Sequence, residues 1–280
     1  MKKFLAIFVS ITMVFCLTSC MDIKVTVPSK ATQDQTQPNM DVQQGDIDLN
    51  DGFIVNNGGN TTEPTTLSDN PAEWSLKQIV EQYKLAAGKT HNSVTSYQNM
   101  TLRAGSLSAP GINSTLLNFA EGVMAQALSN NSKDIEGITG GHQNLVVSDV
   151  AGAKAYKSGN NIVIEMLMKE QTDKGDGKMY EGTVGHAISV VGDIDSVIGQ
   201  FSGLGMNATI AKNDCTLQYK NPVVKVTINS NGMIINGTWS YVVNITLNNL
   251  EIKAMGMTVP VKQATSIVDF YVILNGGFKA

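Results

Sequence analysis

The chain has 280 residues and a formal net charge of −4, with no cluster of Lys and Arg along its length. Nucleic-acid binding needs basic patches that displace counterions, so this charge pattern excludes nucleic acid as a partner. Of the 3 cysteines, Cys16 and Cys20 lie at the N-terminus and Cys215 stands alone further on, so no internal disulfide is expected in the body of the chain.

The first residues carry a targeting pattern. Lys2 and Lys3 precede an apolar run over residues 4–15. A positive start followed by a short apolar stretch reads as a secretory signal peptide. The stretch is too short for a permanent span, which needs roughly 20 apolar residues. It ends in Leu17-Thr18-Ser19-Cys20, which resembles the bacterial lipobox. The resemblance implies cleavage before Cys20, a signal peptide over 1–19, and a diacylglycerol with palmitate on the Cys20 sulfur. It further implies an extracytoplasmic lipoprotein whose membrane partner is reached through that lipid. Each buried methylene contributes about 0.8 kcal/mol, and two chains anchor where one does not. Met21 follows in place of a sorting Asp, so inner and outer membrane both stay open. The resemblance covers the first twenty residues alone.

Residues 20–74 read as a lipidated, flexible tether. Stretches such as Asn56-Asn57-Gly58-Gly59-Asn60-Thr61-Thr62 offer too little apolar surface to offset their ordering entropy. Phe53, Ile54 and Val55 are an exception that suits a short strand docked on the domain. A coil of about 50 residues reaches on the order of 40 Å.

Residues 75–280 suffice for a single α+β domain with one well-buried core. Ser75 is a plausible N-cap, Leu76, Ile79, Val80, Tyr83 and Ala87 recur at helical spacing, and Gly88 reads as the stop. A second helix over 116–128 shows a broad apolar face with Leu116, Phe119, Val123 and Met124. A weaker third is expected over 188–201. Strands are expected near 145–150, 162–169 and 208–219, then at 223–228. Asn231-Gly232 supplies hairpin chemistry. After it, Met233, Ile235, Trp239, Tyr241, Val243, Ile245 and Leu247 alternate with polar residues, which predicts a long strand with one wet face. Shorter strands at 250–254, 257–261 and 267–274 follow, broken at Gly256 and at 262–266.

This outline predicts a large curved antiparallel sheet with two or three helices on one face. It is similar to the half-barrel of the periplasmic lipoprotein carriers and, as an alternative, to the tubular lipid-binding fold. The residues that carry the likeness are strand 223–228, the Asn231-Gly232 turn and the strand after it. The likeness implies a lipid or other apolar ligand held in the hollow. The lining would come from Leu116, Phe119, Val123, Met124, Met166, Met233, Trp239, Tyr241 and Val243. The chain's 13 methionines suit such a surface, because Met adapts to irregular apolar shapes.

Chemistry is sparse. His91, His142 and His186 lie in separate segments with no metal-binding spacing. Asp173-Lys174-Gly175-Asp176-Gly177 lacks the calcium-loop pattern and reads as a polar hairpin tip. Asp193 and Asp195, two apart, do not face each other on a helix. Neither a nucleophile elbow nor a phosphate-binding loop is present. Cys215 reads as a small buried hydrophobe. The expectation is therefore a protein without catalytic residues, cofactor or metal. Its domain either binds an apolar ligand or contacts envelope or host-surface components through its wet sheet face.

Overall fold

Ser75 opens the first helix, α1, which runs Leu76–Thr90. The structure is a computed structural model that describes residues 52–56, 66–108, 132–176, 178–190, 207–254 and 257–275. All of these fall within the unit Asp46–Ala280. The Ser75 hydroxyl accepts from the Gln78 N–H at 3.3 Å, and the Gln78 side chain accepts from the Ser75 N–H at 2.8 Å. This capping box satisfies two N–H groups that a helix start leaves unpaired. Leu76, Ile79, Val80, Tyr83, Ala86, Ala87 and Thr90 form the buried stripe.

Gly88 does not end the helix. The chain stays helical to Thr90, whose hydroxyl donates to the Ala86 carbonyl at 2.7 Å and accepts from the Ile234 N–H at 2.8 Å. A tertiary contact sets this end, overriding a local propensity worth about 1 kcal/mol.

The strands are β1 (Ile54–Val55), β2 (Thr95–Ser108), β3 (Lys133–Glu136), β4 (Val150–Ser158), β5 (Asn161–Met168), β6 (Gln171–Lys174), β7 (Asn207–Thr209), β8 (Cys215–Ile228), β9 (Ile234–Ala254) and β10 (Met257–Asn275). They form one sheet in the order β1-β4-β5-β8-β9-β10-β2-β3, with β6 beside β8 and β7 beside β9. The ladders between them are antiparallel. A short helix, α2 (Thr183–Ala187), is the other α-helix among the described residues. The molecule is thus α+β, dominated by an open antiparallel sheet with one main helix.

Several expected elements are redrawn. Residues 147–149 form a 3-10 turn, and the strand expected at 145–150 instead starts at Val150. The strand expected over 208–219 divides into β7, a turn at Lys212–Asp214 and the start of β8. β8 then runs on through 220–222, where a break was expected. Between Lys220 and Val223 it holds one residue more than β9 opposite, a bulge with Asn221 at φ 49°. Pro222, which cannot donate to a ladder, sits at this irregularity, as prolines inside sheets do. Residues 250–254 continue β9, and 262–266 lie inside β10. The expected helix at 188–201 falls partly outside the described residues. Its described part is not helical beyond Ile188, the C-cap of α2, and Ser189 turns away at φ 119°. The expected helix at 116–128 and the Gly256 turn lie outside the described residues, as do residues 20–51.

Two pieces of the expected tether belong to the fold. Ile54 and Val55 pair with Ala153 and Gly152 on the β4 edge, and the Asn56 amide donates to the carbonyls of Val147 and Val150 at 3.0 Å each. Trp74 is buried, and its indole N–H donates to the Ser68 carbonyl at 2.7 Å.

Candidate functional site

One face of the sheet is dry. Along β9 Trp239, Tyr241, Val243, Ile245 and Leu247 are buried, as the alternation predicts, but Ile235, and Met233 just before the strand, are only half-buried, and Ile234, Ser240, Val242, Leu250 and Ile252 are buried as well. Register extends these positions into rows. Met166, Val224, Trp239 and Val272 line up across β5, β8, β9 and β10. Tyr219, Val243 and Val268 make another row. Between them the Tyr241 and Phe270 rings stack at 4.6 Å, and Tyr219 meets Tyr241 edge-on at 5.1 Å. Such aromatic pairs contribute about 0.5–1.5 kcal/mol beyond their burial.

Of the residues expected to line a hollow, Met166, Trp239, Tyr241 and Val243 are thus brought together on this face, all fully buried. Met233 is not part of it. It lies half-buried at the β8–β9 hairpin, where its N–H donates to the Asn229 side chain at 3.0 Å. Leu116, Phe119, Val123, Met124 and Cys20 lie outside the described residues.

Polar groups enter the dry face at defined points. The Trp239 indole N–H donates to the Tyr83 hydroxyl at 2.8 Å, tying the sheet to α1. Burial pushes the Tyr83 phenol up to about 12, against its bonds to Trp239 and Thr139. The Thr139 hydroxyl also donates to the Ala187 carbonyl at 3.2 Å, so the chain α1–loop–α2 is connected through the core. The Tyr241 hydroxyl is buried without a hydrogen-bond partner, and burial holds its phenol well above the ordinary value. Cys215 is buried on β8, and burial lifts its thiol to about 11 against the opposing pull of Lys174. A thiol so far from its thiolate is a poor nucleophile at neutral pH, which supports its reading as a small hydrophobe.

The histidines are arranged in a way their spacing concealed. His91, next after α1, and His142 lie with ring centroids 5.6 Å apart at a 53° tilt. His186 of α2 pairs with Asp149 at 3.0 Å, and Asp149 also accepts from the Val146 N–H at 3.0 Å. No group of three or more His, Cys, Asp or Glu able to hold a metal occurs among the described residues.

Asp173, expected in a polar hairpin tip, lies inside β6 opposite Leu217 of β8, and the chain after β6 passes into a 3-10 turn at Lys178–Glu181 instead of a hairpin partner. Gln171, at the start of β6, accepts the Val184 N–H of α2 at 2.6 Å and donates to Asp173 at 2.6 Å. Burial holds the Asp173 carboxyl above its ordinary value, with the Gln171 bond opposing.

The opposite sheet face is wet and paired. Lys154, Glu165 and Lys225 stand in register across β4, β5 and β8, with Glu165 at 3.5 Å from Lys154 and 2.8 Å from Lys225. Although burial works to raise it, Glu165 is held below its ordinary value by Lys225, Tyr156 and Lys154. Arg103 grips both Asp269 oxygens, Asn99 donates to the Tyr271 hydroxyl at 2.7 Å, and Gln263 donates to Asn248 at 3.1 Å.

Tyr83, Thr139, Tyr219, Phe270 and the His91–His142 pair were not found by sequence reading as members of a common site. Phe270 and Tyr219 were legible as strand residues, but their contact depends on register. No family model, curated protein or solved structure matches the chain.

Proposed function

We propose that the chain is an extracytoplasmic lipoprotein, anchored through lipid on Cys20, whose α+β domain acts by contact and not by catalysis. It presents the wet face of its sheet to components of the envelope or of a host surface. What supports this reading is the Trp239–Tyr83 bond. Trp239, one of the side chains expected to line a hollow, is instead bonded to the protein's own helix, with Trp239 and Tyr83 both at 0% exposure. Close packing of this kind leaves recognition to the outside of the sheet. There the side chains carry hydroxyls, amides and paired charges, a surface suited to polar, hydrogen-bonding partners. A titration of the folded protein, lacking residues 1–20, with an environment-sensitive apolar dye tests the reading. No saturable binding is expected. Saturable binding with native circular dichroism would overturn it.

That second outcome would favour a lipoprotein-carrier-like half-barrel with a lipid or other apolar ligand inside. The observation on its side is the Tyr241 hydroxyl, a buried polar group without a partner on an apolar face. Such a group has lost its hydration, and a ligand head group would restore the missing bond. Native mass spectrometry of protein extracted from its own membrane distinguishes the two, since the carrier reading requires a co-purifying lipid.

A further inference from the structure

Chain segments remote in sequence bring all 3 histidines to one loop. Residues 137–149 link β3 to β4 and lie between α1 and α2. Gly137, at φ 78°, lies so close to His91 that a Cβ there would come within 2.7 Å of the ring nitrogen Nδ1. Its N–H donates to the Val94 carbonyl at 2.8 Å. His142 is 5% exposed and lies against the His91 ring. His91 Nδ1 is buried without a hydrogen-bond partner, and the one polar group set against the His142 ring is the Thr139 backbone. From α1, Lys84 donates to the Leu145 carbonyl at 2.8 Å. On the other side, a Cβ on Gly141 would collide with the Gly185 carbonyl, so the loop and α2 touch through backbone.

We propose that this loop is an acid-responsive latch: protonation of the buried His91–His142 pair releases residues 137–149 from α1 while the sheet stays folded. Two neutral imidazoles pack against each other without charge repulsion. A proton added to either creates a buried cation, and the ionisable groups around the pair give it no counterion. His91 and His142 face each other. Lys84, the charged group beside them on α1, is itself positive. Asp149, the nearby carboxylate of the loop, is already engaged by His186 of α2 and the Val146 N–H.

Burial, with His91 and Lys84 beside it, holds His142 below the ordinary His value against the opposing bond to the Thr139 backbone. Across the window from that ordinary value down to the folded one, the unfolded or released loop binds more protons than the latched one. The stabilisation is therefore complete above the ordinary His value, about 6.5, and drains away as pH falls. The His186–Asp149 pair is no counterweight for His142, because its partners lie on α2 and within the loop and not on α1.

Release rather than collapse follows from what holds each part. The loop is tied down by the Lys84–Leu145 and Thr139–Ala187 hydrogen bonds, by the two rings and by the buried side chains of Ile138 and Leu145, whereas β8, β9 and β10 share continuous ladders. A segment outside the ladders opens with less free energy than the core strands.

Amide hydrogen exchange on the full mature chain tests this, followed from about pH 7.5 to about pH 5 and corrected for intrinsic rates. Protection at Gly137, Asn144, Leu145 and Asp149 should fall by about tenfold for each unit separating the released and latched pKa values. Protection along β9 and β10 should hold. In His142→Gln and His91→Gln, which keep polar side chains but cannot charge, the loop's loss should shrink toward nothing. The two variants serve as each other's control if one fails to fold. Protection that ignores pH, a loss spread evenly over the sheet, or an undiminished loss in both variants would overturn the latch.

Discussion

Trp239 shows how much a single buried side chain decides. Its ring fills the middle of a sheet row, and its one polar atom is satisfied by Tyr83. Trp239→Ala should therefore lower unfolding free energy by about 3–5 kcal/mol in a urea titration, as for other large core truncations. Tyr83→Phe removes the hydroxyl, loses its bond to Thr139 and leaves the indole N–H buried without a partner, at a cost of about 1–3 kcal/mol. A loss under about 1 kcal/mol for Trp239→Ala would instead point to a ring lining open space. The alternation from Trp239 to Leu247 made the burial of this residue legible in the sequence. Its hydrogen bond was not legible, because Tyr83 looks like any apolar residue of a helical stripe. The His91–His142 contact was hidden for the same reason, since nothing local to either residue reports the other.

At the scale of elements, local chemistry was readable where it acts within a few residues. The Ser75 cap is such a case, and Ser75→Ala should cost about 1 kcal/mol, read as a shift in the urea midpoint with an unchanged slope. The β8–β9 hairpin is another. Gly232 takes φ 73° and its N–H donates to the Asn229 carbonyl at 2.9 Å. Strand ends were less legible, because polar and Pro-containing stretches inside β8 and β10 look like breaks. Asn221 and Asn249, at φ 49° and 52°, let the burial pattern of a strand change step without ending it. Before Asn221 the odd positions Cys215, Leu217 and Tyr219 are buried, and after it the even positions Val224, Val226 and Ile228. A period-two reading loses a strand at such a step. Asn tolerates this conformation and a β-branched residue does not. Asn221→Val should thus destabilise by about 1–2 kcal/mol while Asn221→Gly is nearly neutral. Equal effects in thermal melts of the two would mean that the bulge relaxes freely.

For the molecule as a whole, the α+β class and the sheet-dominated C-terminal half were legible from strand periodicity. Where the domain begins was legible only in part. Residues 52–56 lie beside a polar, Gly- and Asn-rich stretch in which Phe53, Ile54 and Val55 alone suit a short docked strand. The sheet offers them an open β4 edge, and a strand edge gains order from any backbone that pairs with it. Three independent contacts hold the segment: the β1 ladder at Gly152 and Ala153, the Asn56 amide on two carbonyls, and the Lys154 ammonium 4.7 Å from the centre of the Phe53 ring. A chain beginning at Leu67 loses all three and leaves the β4 edge bare. It should still fold, because α1 and the long ladders remain. Net hydrogen bonds of about 0.5–1.5 kcal/mol each, less the entropy of ordering the segment, put the expected loss at about 1–3 kcal/mol relative to a chain beginning at Asp46. The uncovered edge should also raise self-association, visible in sedimentation velocity as a concentration-dependent dimer. Asn56→Ala in the longer chain should reproduce part of the stability loss without the dimer, because β1 then still covers the edge. Matching stability and monomeric behaviour in the two chains would place the start of the domain after β1.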